Sequence, residues 1–166
     1  MGCDIHMHFE YHSSLYTDKK DEWYNGDYFK RSIRDIKEYE FVDMYPNRCY
    51  SLFAVLANVR NYDPGLIYID EPRGLPEDIN IITKHQYIDW EWGAHSTSYF
   101  TLKEILDFSE KHEGKEEAEI LKHLIEIIKR RADELNLIYD FQWNGQHCEK
   151  AYDKADKIRI VFWFDN

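Results

Sequence analysis

The chain has 166 residues, of which 43% are hydrophobic and 16% aromatic, and carries a formal net charge of −11. That length supports a single globular domain over residues 1–166, and this density of aromatic side chains argues against disorder. The acidic surface repels the phosphate backbone of duplex nucleic acid, and no apolar run approaches the ~20 residues of a membrane-crossing helix, so neither partner is expected.

The first predicted element is a strand from Cys3 to about Tyr11. Asp4, His6, His8, Glu10 and His12 fall at every second position, and strand side chains alternate between faces. These ionisable groups therefore share one face, while Cys3, Ile5, Met7, Phe9 and Tyr11 share the other. Two histidines spaced this way have Cα atoms ~6.6 Å apart on one side of the sheet, close enough for both imidazoles to meet one ion. Asp4, His6 and His8 are accordingly candidate ligands for a divalent ion (Zn, Mn or Fe), and Glu10 is a candidate general base. The alternative is a polar strand face with satisfied hydrogen bonds.

Trp23 and Tyr24, then Asn25-Gly26, then Tyr28 and Phe29 predict a second strand or a hairpin, because Asn-Gly favours tight hairpin turns. Residues 31–45 carry no decisive pattern. "NRCYSLFAVLANVRN" predicts a helix capped by Asn47, ended by Asn61 with Pro64-Gly65, and apolar on all sides. Arg48 and Arg60 stand at its two ends, and Arg60 and Asn61 are candidate substrate-binding residues. "LIYI" at 66–69 predicts a short strand. The rigid "EPRGLP" that follows presents Arg73 as a candidate clamp for an anionic oxygen.

After a weakly patterned segment, "WGAHSTS" leads to a helix opened by the Thr101–Glu104 capping box. Placed at a helix N-terminus, Ser96 and Ser98 would bind phosphate oxygens, and His95 would act as general acid or as a further ligand. A serine-rich loop that merely caps the helix is the competing reading. Gly114 separates this helix from a long amphipathic one running to Asn136. A second Asn-Gly turn at 144–145 follows. The closing "KIRIVFWFDN" reads as a central strand covered on both faces. Its Asp165 is a candidate metal ligand, placed to reach an ion on the first strand. Strands at both termini with helices between them give an α+β fold: a mainly antiparallel sheet that includes the N- and C-terminal strands, packed with three or more helices.

Three scattered cysteines, Cys3, Cys49 and Cys148, and an N-terminus without a basic-then-apolar leader lead us to expect a cytoplasmic protein. "MGCDIH", "RCYSLFAVLANVRN", "PRGLP", "HSTS" before "TLKE", and "VFWFDN" together resemble a family of small uncharacterised phage and bacterial proteins. Its members open Gly-Cys-Asp-Ile-His and close Phe-Trp-Phe-Asp-Asn. The resemblance covers nearly the whole chain, with His8 and the long helix departing from the commoner pattern. It implies a context rather than an activity: a phage accessory or anti-defence protein in the host cytoplasm, acting on host nucleotides or nucleotide signals.

The residues then predict a metal-dependent hydrolase of a small phosphorylated or nucleotide-like substrate. Asp4, His6, His8 and Asp165 would hold the ion, Glu10 or His95 would move the proton, and Arg73, Ser96, Ser98, Arg60 and Asn61 would hold the anionic end. Two alternatives stand beside it. One is a metal-independent phosphodiesterase using the His-x-Ser/Thr elements at His12 and His95. The other is a binding module that sequesters a nucleotide or inhibits a host protein.

Overall fold

A computed structural model describes residues 2–15, 21–33, 36–90, 92–135 and 152–166. Its centre is an antiparallel pair made by the two ends of the chain, β1 (Asp4–His12) and β6 (Ile158–Asp165). They run in register from Asp4↔Asp165 to Tyr11↔Ile158. β2 (Trp23–Asn25) adds to the outer edge of β1, and β5 (His95–Thr101) to the outer edge of β6, giving the order β2-β1-β6-β5 with every pairing antiparallel. The α+β expectation, with both terminal strands in one antiparallel sheet, is met.

The apolar alternation of β1 and the continuous apolar run of β6 decide the layers. Ile5, Met7 and Phe9 stand opposite Phe164, Phe162 and Ile160 and all are buried. On that face lie α1 (Tyr50–Ala57), α3 (Leu102–Lys111) and α4 (Glu116–Glu134). α1 buries all six residues from Leu52 to Ala57, as a helix apolar on all sides should. It is shorter than the sequence predicts. Its N-cap is Cys49, not Asn47, and it ends where Asn58 takes the left-handed conformation (φ 57°), not at Asn61. Asn tolerates that conformation better than other non-glycine residues. α3 starts at the predicted capping box, with both reciprocal Thr101–Glu104 hydrogen bonds formed.

Three expectations change. Asn25-Gly26 does not close a hairpin between neighbouring strands. Asn25 Oδ1 accepts from the Asp27 amide at 2.9 Å, and the chain leaves the main sheet to form a separate hairpin of β3 (Tyr28–Ile33) with β4 (Ile36–Phe41). Gly26 is required there by close approach, since a Cβ would lie 2.5 Å from the Phe9 ring. Residues 66–69 form no strand; they run alongside α1, where the Ile69 amide donates to Val55 O at 2.8 Å. The weakly patterned stretch contains α2 (Ile81–Trp90), whose first turn is capped by Asn80 Oδ1 accepting from the Ile82 amide. The second Asn-Gly turn and Cys148 lie outside the described residues. No helix among the described residues is long and apolar enough to cross a membrane.

Candidate functional site

α2 and the strap leading into it lie over the polar face of β1, and the neighbours they supply decide what each ionisable group does. Glu10 is completely buried and bound on both oxygens. Oε2 accepts from Arg159 Nε and Nη2 at 2.8 and 2.6 Å, and Oε1 accepts from the Asn80 amide at 3.0 Å. Arg159 also donates to Asp78 at 2.7 Å, and its guanidinium lies 4.0 Å from the Trp23 ring centroid. The candidate general base is therefore the anchor of an ion-pair ladder that pins the strap to the sheet.

Asp78, the outer rung, also accepts from Trp23 Nε1 at 2.9 Å. Partial burial raises its pKa, but the Arg159 hydrogen bond and charge outweigh that and hold the carboxyl below its ordinary value of 3.8. A depressed carboxyl contributes stability that is fully present above its unfolded value and is lost as pH falls through the folded value. Acid unfolding followed by circular dichroism should thus show a shallower loss of stability below pH ~4 for Asp78→Asn than for the parent chain.

His8 is buried as well, its Nδ1 2.8 Å from Asp27 Oδ2. Asp27 is fully buried and accepts from the Phe9 amide, Asn25 Nδ2 and Arg131 Nη1 at 3.1, 3.2 and 3.1 Å. His12, at the far end, is flanked by Ser14 Oγ and Asp21 Oδ1 at 2.7 and 2.8 Å. Asp4, at the near end, receives a two-pronged contact from Arg48, at 2.7 and 2.6 Å. That hydrogen bond holds the Asp4 carboxyl below its ordinary range.

His6 and Asp165 are left as a partly exposed pair. His6 Nε2 lies 3.3 Å from Asp165 Oδ2, with side chains 23% and 20% exposed. Asp165 Oδ1 accepts from the Asp4 amide at 3.2 Å, which fixes the carboxylate. The His6 ring stacks on Trp90, at the end of α2, with centroids 4.1 Å apart, and on Trp163 at 5.9 Å. The four proposed ligands therefore do not converge. Among the described residues no three His, Cys, Asp or Glu side chains are grouped to hold a metal ion. The physical reason is competition: Arg48 occupies Asp4 and Asp27 occupies His8, so only the His6–Asp165 pair remains.

The expected anion-binding loop is part of the sheet instead. "HSTS" lies in β5, so Ser96 and Ser98 precede the α3 N-terminus by a run of strand rather than forming it. Ser98 is buried, and its Oγ accepts from the Arg73 amide at 3.3 Å. Arg73 itself donates to Glu104, Asp70 and Tyr99 O at 2.7, 3.1 and 3.3 Å, which ties the loop to β5 and α3. Arg60 reaches the end of β6, with Nη2 3.0 Å from Asn166 Oδ1. Asn61 shapes the turn after α1 by donating to Asn58 Oδ1 at 2.9 Å.

His95 pairs with Phe164, whereas His12 lies one residue beyond Tyr11↔Ile158, so about seven strand steps, ~23 Å, separate the two histidines along the sheet. They cannot act on one phosphodiester in this arrangement. The register also puts His95 on the Phe164 face, opposite to His6. Arg48 and Trp163 are the site residues that motif reasoning passed over. The one signal for Arg48 was its position beside a buried helix, since its partner Asp4 is 44 residues away. Comparison of the chain with protein-family models, curated proteins and solved structures finds no match in any of the three.

Proposed function

We propose that the protein binds a small phosphorylated or nucleotide-like substrate at the His6 end of the sheet and hydrolyses it. His6 acts as general base and Asp165 as the residue that positions it. The supporting observation is the His6–Asp165 contact, a histidine–carboxylate pair on this face whose two members are both partly open to solvent, while His8 is buried against Asp27 and Glu10 is sealed into an ion pair with Arg159. With Nε2 turned to Asp165, Nδ1 is the nitrogen that takes a proton from the attacking water, and the fixed carboxylate steadies the imidazolium that results. Among the described residues no third donor joins His6 and Asp165, so the proton is moved by these two side chains. Trp90 and the fully exposed Trp92 offer flat surfaces for a nucleobase. The resemblance to phage and bacterial proteins makes host nucleotides or nucleotide signals the substrates to try first.

The exposed tryptophans also favour a second reading, in which the same site holds a nucleotide without cleaving it. Turnover of a panel of nucleotides and phosphoesters, with EDTA present and with added Zn or Mn, separates the two. General-base catalysis of this kind contributes about 10²–10⁴-fold, so His6→Ala is expected to lose that much of kcat/KM. Asp165→Asn should lose less and shift the pH profile. Turnover that survives His6→Ala, or that requires an added metal, overturns the assignment. Tight binding with no turnover leaves sequestration.

A further inference from the structure

Among the described residues two buried side-chain nitrogens have no hydrogen-bond partner, Trp163 Nε1 and His95 Nε2. Both bracket one irregularity in the sheet. β5 pairs with β6 as His95↔Phe164 and then as Ser98↔Phe162, so Ser96 and Thr97 together stand opposite Trp163. Bulges of this kind redirect side chains and recur beside binding sites. Ser96 passes through it with φ 49°, the left-handed conformation that a serine adopts only at a cost in free energy. His95 falls on the core face, where its ring stacks on Phe164. Trp163 falls on the face of the candidate site. It is the cross-strand partner of His6 and stacks on the His6 and His8 rings at 5.9 and 4.8 Å.

An indole N–H can only donate, and a donor buried without an acceptor is destabilising unless something supplies one. Trp163 is completely buried, so the unspent donor is held in place rather than left to turn toward solvent. We propose that the Trp163 N–H donates to a phosphoryl oxygen of the substrate, making Trp163 a substrate-binding residue. This rests on the reading of the His6 end as the substrate site. A phosphoryl oxygen is the acceptor that a phosphorylated substrate brings beside His6, and a neutral donor can bind it without competing for Asp4 or Asp165 as a cation would. The cover over the indole is α2, with Tyr87 set edge-on at 5.2 Å and Trp90 over His6. α2 buries only Thr83 along its length, so the cover over the indole is thin.

The test is solution NMR of ¹⁵N-labelled protein, with the five tryptophan indole resonances assigned through bonds. AMP, inorganic phosphate and adenosine are the probes. AMP and inorganic phosphate are each expected to move the Trp163 indole proton downfield and saturably, while adenosine does not. A Trp163 signal that stays put while AMP moves the Trp90 signal overturns the proposal. So does an upfield, ligand-insensitive signal, the mark of an N–H held against the Tyr87 ring, and so does a shift that adenosine reproduces. Turnover with an unmoved Trp163 signal sinks this subsite and leaves the hydrolytic reading standing. A phosphate-dependent shift without turnover of any phosphoester does the reverse.

Discussion

Arg159→Ala is expected to destabilise the fold by about 3–5 kcal/mol, because it strands a charge in the interior. Glu10 is completely buried and takes two of its three hydrogen bonds from that guanidinium. Removing the arginine leaves the carboxylate with one backbone donor in a medium that solvates ions poorly. It also leaves Asp78 with Trp23 Nε1 but without its charge partner and uncovers the Trp23 ring, so the strap that carries α2 loses its anchor. For a chain of this length each kcal/mol moves the melting temperature by about 2–4 °C, which puts the expected drop at roughly 6–20 °C by calorimetry. The double variant Glu10→Leu/Arg159→Met is the control. Removing both charges while keeping volume should recover most of the loss, since a buried ion pair is often no better than well-packed apolar side chains. A single variant that melts within a degree of the parent would show that water reaches Glu10 and that the ladder is a surface feature.

Asp27→Ala is expected to cost a similar ~3–5 kcal/mol, for a related reason. Asp27 is fully buried and joins His8, the Phe9 amide, Asn25 and Arg131 at one point. Without it the Arg131 guanidinium, 5% exposed, keeps backbone acceptors at Gly26 and Val42 but loses its buried carboxylate partner. His8→Ala should cost less, because Arg131 still neutralises Asp27 when the imidazole is gone. Urea unfolding measures both, and a lower midpoint with unchanged slope is the signature of lost native stability. The ranking separates structural from ligating roles for His8. A metal ligand would give a small loss of apo-protein stability and a loss of metal uptake. A His8→Ala penalty larger than that of Asp27→Ala would contradict the hub drawn here.

The candidate site was half legible in the sequence. Alternation along β1 correctly placed Asp4, His6, His8 and Glu10 on one face, because a period of two is a local property of an extended chain. Proximity of Asp165 to that face followed from reading the closing run as a neighbouring strand. The pattern could not show which of these groups would already have a partner. The pairs His8–Asp27, Asp4–Arg48, Asp78–Arg159 and Glu10–Arg159 join residues between 19 and 149 positions apart. α2 is illegible in the sequence for the complementary reason. Helical periodicity is written by burial of one face, and this helix buries a single residue. Ser and Thr at consecutive positions of β5 suit turns and caps as well as an edge strand, so only pairing with β6 distinguishes the two.

By itself, the sequence determined the two-faced first strand, the buried last strand, the capping box at Thr101 and the long amphipathic helix. Each of these is encoded by residues within a few positions of one another, so backbone geometry and apolar spacing suffice to read them. Only the tertiary structure decided that Glu10 and His8 stabilise the fold, that Arg73 ties a loop to β5 and α3, and that His6 with Asp165 stays open. A polar group becomes structural or reactive according to whether folding brings an opposite charge and excludes water around it, and those neighbours come from distant parts of the chain.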